Sequence, residues 1–281
     1  MENPITAGAL TRLVELDTVV RAQNPMTEKS PLPFDHVHAI ATLSASDEHL
    51  ARLIEKVGEF AFALDERSSP YESLLEAIVY QSISGKAAAK IFSRIIALGT
   101  NGACPTPAEI LKIKSRTLCA AGLSHAKIAA VKDLAQKTID GLVPTLEQAH
   151  QLSDQELVDR LISVRGIGAW TVEMFLIFRL GRPDVLPIHD YGVQKGFAIT
   201  YRKRRIPKPK ELAKFGERWK PYRTVASWFM WRAVQLAGKD ARKITKNTVK
   251  RPYAKPQKTA RKPVRRPSSL PLISNRKKKG H

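Results

Sequence analysis

Two glycines placed two apart, inside an otherwise apolar helical stretch, constrain this chain more than any other feature. From Leu157 to Gly196 the sequence runs LVDRLISVRGIGAWTVEMFLIFRLGRPDVLPIHDYGVQKG. Leu157, Leu161 and Ile162 recur at helical spacing with Asp159 and Arg160 between them, which predicts a short amphipathic helix. Arg165-Gly166-Ile167-Gly168 then interrupts it, and glycine tolerates the positive φ angles and close approaches of a tight turn. From Trp170 a nearly continuous apolar run predicts a buried helix that stops at Gly181, with Pro183 just beyond. The expected unit is a helix, a four-residue glycine hairpin and a second helix. Such a corner leaves backbone N–H groups without acceptors at the positive end of a helix, where a phosphate can bind without a lysine. Arg165 adds a full charge.

A third helix is expected after Ile188-His189-Asp190, with Asp190 lying 22 residues beyond Gly168. Taken alone, Asp190 reads as the N-cap of the helix that starts at Tyr191. Taken together, VRGIGAWTVEMFL and VLPIHDYGVQKGF resemble the helix-hairpin-helix DNA glycosylases, most closely their 3-methyladenine DNA glycosylase II branch. The resemblance implies that Arg165, Gly166, Ile167 and Gly168 hold a DNA phosphate. It also implies a bridging monovalent cation, Na+ or K+, on the main-chain carbonyls of Ile162, Val164 and Ile167, with no other cofactor required. Asp190 becomes the carboxylate essential for cutting the N-glycosidic bond.

The resemblance extends to other segments. VYQSISGKAAAKI matches the family stretch that enters the duplex beside the departing nucleotide, which implies DNA contacts from Gln81, Ser82 and Ile83. Ser82 stands where relatives carry a bulkier wedge, and Ile83 is the other side chain that could fill the gap. The turn at Gly122 and Ser124 implies a backbone contact through Lys127, for which a solvated lysine is the competing reading. By position in the pattern WKP-x-R…W, Trp231 faces the base pocket, with Tyr191, Trp170 and Tyr222 as further aromatic walls. Bifunctional relatives carry a nucleophilic lysine two residues after the second glycine, and here that residue is Trp170. The implied activity is therefore monofunctional, base release without strand nicking.

Charge agrees with a polyanionic partner. Lys and Arg number 47 against 26 acids, a formal net charge of +21. No long apolar span appears, so double-stranded DNA is expected as partner in preference to a membrane, and a monomer is expected. Residues 239–281 hold 16 basic residues against the single acid Asp240, leaving +6 for the rest. Rich in proline and poor in large apolar residues, this stretch reads as a disordered polybasic tail that raises DNA affinity without reading sequence. Cys104 and Cys119 are too few for a disulfide framework or a four-thiolate metal site, and so read as partly buried free thiols in a reducing compartment. Lacking a cysteine cluster, the chain departs from the endonuclease III and adenine-mismatch branches. MENPITAGAL lacks the signature of a signal peptide. The expected location is cytoplasmic and nucleoid-associated in a bacterium, nuclear in a eukaryote.

Helical signals begin near Ile40. Leu50, Leu53, Ile54 and Val57 form one stripe. Pro70 opens a helical stretch to about Leu98 that breaks at Ser84-Gly85, as one kinked helix or two. His36 and His38 lack acidic or thiol partners and read as solvated, and Trp228 as core. No stretch alternates in the manner of a strand. The fold class expected is all-α: a flexible segment 1–39, a helical glycosylase domain 40–238 without the N-terminal β subdomain of some bacterial relatives, and the tail 239–281. Two other functions fit the hairpin: a non-enzymatic architectural DNA binder, for which Asp190 with an aromatic pocket would have no use, and a glycosylase for oxidised bases.

Overall fold

The computed structural model describes residues 32–65 and 69–249, with side chains described as far as residue 238. Every regular element among the described residues is helical. The order is α1 (His36–Ser46), α2 (Glu48–Val57), α3 (Pro70–Tyr80), α4 (Gly85–Ile96), α5 (Pro107–Lys112), α6 (Ser115–Ala121), α7 (His125–Ile139), α8 (Leu146–Gln151), α9 (Asp154–Leu161), α10 (Ala169–Phe178), α11 (Tyr191–Thr200), α12 (Pro209–Gly216) and α13 (Arg223–Val249).

The helix starts follow local capping chemistry. Ser69, Thr106, Thr145 and Ser153 each form a reciprocal capping box with the Glu or Gln three positions on, satisfying two orphan donors at a time. The stretch after Pro70 resolves into two helices, α3 and α4, joined by a short turn at Gln81–Ser84. Two boundaries differ from expectation. The first helix starts at His36, inside the segment read as flexible, because the Asp35 side chain accepts the N–H groups of Val37 and His38 at 2.9 and 3.0 Å. The last helix runs on to Val249, past the boundary read at 238. Residues 1–31 and 250–281, which include most of the tail, lie outside the described residues.

Helix α3 packs against α4, α7 and α10, and α7 also packs against α5 and α6. Leu74, Leu75, Ile78 and Val79 of α3 meet Val131, Leu134 and Ala135 of α7 in one buried core, which also takes in Leu157, Leu161, Val172, Leu176 and Ile177 of the hairpin helices. An aromatic ladder crosses to α13. Trp228 meets Phe60 edge-on at 4.8 Å, Phe60 stacks on Phe62 at 5.6 Å, Phe62 on Phe178 at 5.5 Å, and Phe178 on Trp231 at 5.7 Å. Ring pairs at such separations add to the area they bury. Trp228 is core, as expected. His36 and His38 are exposed, and each lays one ring against an aromatic, Phe60 and Tyr222 respectively. No helix among the described residues is long and apolar enough to cross a membrane.

The approach of α11 to α13 depends on missing side chains. A Cβ on Gly196 would stand 2.0 Å from the Met230 carbonyl oxygen, and one on Gly192 would stand 2.8 Å from Trp231 Cδ1. The two helices meet backbone to backbone because Gly192 and Gly196, one turn apart, present no bulk. Gly196→Ala is therefore expected to destabilise the protein by about 3 kcal/mol, since a packed backbone cannot yield. Gly168→Ala should unfold with the wild type, its Cβ meeting nothing within 4 Å. Chemical denaturation of the two variants side by side checks both outcomes.

Candidate active site and nucleic-acid interface

The hairpin forms between α9 and α10 as the glycines require. Gly166 takes φ +81°, in the left-handed region, while Gly168 at φ −106° is the N-cap of α10 and offers no side chain to its first turn. No side chain caps the first turn of α10, the arrangement that suits an anion. Arg165 is exposed beside it.

What holds the corner was not legible from the hairpin itself. The Arg165 backbone N–H donates to Asp133 Oδ2 at 2.7 Å, and Lys137, one turn further along α7, bridges Asp133 at 2.9 Å and the Ser163 carbonyl. Burial works against the charge on Asp133, yet the Arg165 N–H and the Lys137 ammonium outweigh it and hold the carboxyl below its usual range. On the other side, Gln81 Nε2 donates to the Gly166 carbonyl at 2.7 Å. Helix α7 thus supports the turn from beneath while the α3–α4 loop is tied to it laterally.

That loop carries the duplex-facing residues that the resemblance implies. Ser82 is exposed at φ +59°, a conformation few non-glycine residues adopt. Ile83 beside it is half-buried. Lys127 is half-buried rather than solvated, and it lines the pocket beside the hairpin with Arg165. Its ammonium donates to the Val79 and Gln81 carbonyls at 2.6 and 2.7 Å. The last carbonyls of α3 have no partners of their own, and a cation at a helix C-terminus satisfies both hydrogen bonding and dipole. A cavity of about 290 Å³ lies between the hairpin and α7, lined by Ile78, Gln81, Ala126, Ala130 and Gly166 among others. Asp190 is not among its walls.

Asp190 caps α11, its Oδ1 accepting the Val193 N–H at 2.8 Å. The same oxygen accepts Trp231 Nε1 at 2.8 Å, and Oδ2 accepts Trp170 Nε1 at 2.9 Å. Three segments, α10, α11 and α13, therefore converge on one carboxylate that is 2% exposed. Trp231 is 3% exposed, whereas Trp170 and Tyr191 are half-buried and leave the cluster an outer side. Tyr222 lies edge-on to His38 at 6.1 Å. The loop that delivers Asp190 is clamped to the start of α13: Arg223 grips Asp184 through Nε and an Nη at 2.7 and 3.0 Å, and Thr224 Oγ1 donates to the Arg182 carbonyl. Arg223 is the arginine of the sequence WKPYR. The pairing of that motif with Asp184 has no signature in spacing, since the partners lie in different segments.

Cys104 is half-buried and Cys119 exposed, both as free thiols; burial, with help from nearby carboxylates, pushes Cys104 up to about 12. No group of three or more His, Cys, Asp or Glu among the described residues is arranged to hold a metal ion.

The hairpin, the exposed loop tied to it and the carboxylate held by two indoles all fall on α3, α4, α9, α10, α11 and α13 and the turns between them. Residues 75–221 match the HhH-GPD superfamily of base excision DNA repair proteins, and the chain belongs to that family. It is 39% identical over 211 residues to DNA-3-methyladenine glycosylase 1 of Schizosaccharomyces pombe, covering 75% of this chain and 92% of that protein. Among solved structures, the Schizosaccharomyces pombe 3-methyladenine DNA glycosylase in complex with abasic DNA superposes with a TM-score of 0.64 at 40% identity, over 69% of this chain and 95% of that one. DNA-3-methyladenine glycosidase from Bacillus halodurans gives the same TM-score of 0.64 at 33% identity, over 73% of this chain and 91% of its own.

Trp231→Phe keeps the ring stacked on Phe178 but removes one donor from a buried carboxylate. The expected cost is about 1.5–3 kcal/mol, the range for hydrogen bonds to charged groups, read by urea unfolding at neutral pH. Unaltered stability would mean that the bond contributes nothing.

Proposed function

We propose that this protein is a monofunctional DNA glycosylase that hydrolyses the N-glycosidic bond of alkylated purines such as 3-methyladenine and 7-methylguanine and leaves an abasic site. The observation that carries this reading is the joining of Trp170 and Trp231 to Asp190. A carboxylate and two electron-rich rings stand at one point, with a tryptophan where a lyase would hold its amine.

Double-stranded DNA is the partner and the protein acts as a monomer. A base inside the duplex shields its C1′ bond, so the nucleotide has to be extruded, at a cost of a few kcal/mol. The hairpin N–H groups and Arg165 hold a phosphate, Ser82 probes the stack, and Ile83 backs it. The carbonyls of Ile162, Val164 and Ile167 are three neutral oxygens without a carboxylate, a set suited to a monovalent cation rather than a divalent one. Such an ion would draw the phosphate toward the turn.

N-alkylated purines carry positive charge, which the faces of Trp231, Trp170 and Tyr191 favour by about 0.5–2 kcal/mol per contact. When the C1′–N bond breaks, its electron pair stays with the base, which leaves neutral. The deoxyribose becomes oxocarbenium-like, and Asp190 stabilises that charge and orients the water whose oxygen bonds to C1′. Both indole N–H groups engage Asp190 in the free protein, so at least one has to yield before the sugar arrives. Trp170, the half-exposed one, is the ring that can.

The burial of Asp190 also favours a second reading, a DNA-binding protein in which this residue only caps α11. Incubation with methylated duplex DNA, followed by chromatography of free bases, separates the two. Wild type should release both methylpurines, without a borohydride-trappable intermediate or a nick. Asp190→Asn should release them at least about a hundredfold more slowly while binding DNA unchanged. Binding with no release by the wild type would leave the architectural reading standing, and release confined to oxidised bases in a lesion panel would reassign the substrate.

A further inference from the structure

Glu173 is a half-buried acid that the chemistry above leaves unused. It lies three residues after Trp170 on α10, hence on the same face, and Trp170 is the residue whose indole meets Asp190. Its Oε2 is sealed from solvent with no hydrogen-bond partner among the described residues. Other acids near the site are matched: Asp133 with Arg165 and Lys137, Asp184 with Arg223. A carboxyl oxygen sealed in without a donor, on the face of α10 that carries Trp170, is the place for a ligand that brings the missing positive charge.

We propose that Glu173 faces the extruded base and selects cationic purines by charge, a specificity-determining residue distinct from Asp190. The inference rests on the glycosylase reading. Burial first, and the negative field of Asp190 second, raise the Glu173 carboxyl to about 7. Of the helices packed against α10, α3 carries Glu72 and Glu76, α9 carries Asp154, Glu156, Asp159 and Arg160, α11 carries Lys195, and α13 carries Arg223 and Arg232 among its described side chains, and of the charged groups only Asp190 contributes to that shift. Below about 7 the side chain is a neutral acid and the site holds one negative charge; above it the site holds two. A cationic base entering the site favours the ionised form, whereas a neutral base does not.

The test is kcat/KM for 3-methyladenine release from methylated duplex between pH 6 and 8.5, a quantity that reports ionisation in the free enzyme. In the wild type it should rise on the order of tenfold through a midpoint near neutrality, as expected when a second charge appears within a few ångströms of a cation. Glu173→Gln should hold the low-pH value throughout, matching wild type at pH 6 and falling on the order of tenfold behind at pH 8.5. A flat wild-type profile, or a Gln variant that keeps the rise, overturns the role of Glu173 while base release itself upholds the glycosylase. Absence of release by the wild type sinks the glycosylase reading instead. Should Glu173→Gln fail to fold, the wild-type profile alone decides.

Discussion

The structure depends on one buried carboxylate being shared by three helices. Asp190 accepts a backbone N–H from the helix it starts and an indole N–H from each of two others. An ionised group in a protein interior is strongly penalised unless its oxygens are satisfied, so the three donors are what allow it to be there. The dependence runs both ways: the carboxylate gives two indoles their only strong acceptor and so fixes both rings. Gly192 and Gly196 serve the same end by letting α13 come close enough for Trp231 to reach. The ladder from Trp228 through Phe60, Phe62 and Phe178 keeps that ring from turning away.

The hairpin is held by a different logic. A turn that offers its N–H groups to a phosphate cannot satisfy them internally, so its rigidity has to come from the atoms it does not offer. Asp133 takes the Arg165 N–H, Lys137 takes the Ser163 carbonyl, and Gln81 binds the Gly166 carbonyl. Each supporting group is a side chain from outside the turn. The groups left over, at Gly168 and the first turn of α10, are the ones available to an anion.

Periodicity and punctuation made the helices readable: the stripe of α2, the apolar run of α10 and the glycines beside it. The meeting of Asp190 with Trp170 and Trp231 was legible through a family pattern, because no local rule links residues 20 and 41 positions apart. The partners of Lys127 were hidden for the same reason, being carbonyls at the end of a helix far back in the chain. Gly192 and Gly196 were visible as GVQKG, but their significance lies in what α13 brings against them. The start of α1 was missed because Asp35 as a cap stands just after Pro31 and Pro33, in a stretch without a helical period.

In the proposed enzyme, the bond from Gln81 to Gly166 has a consequence for how damage would be located. It fastens the loop that carries Ser82 to the glycine corner, and the lysine strut from α7 stiffens the same loop from behind. With a phosphate at that corner and Ser82 at the stack, each step along a duplex would interrogate a nucleotide at a constant offset from the anchored phosphate, like a caliper whose jaws are locked, and a weakened base pair would register because it alone gives way at that spacing.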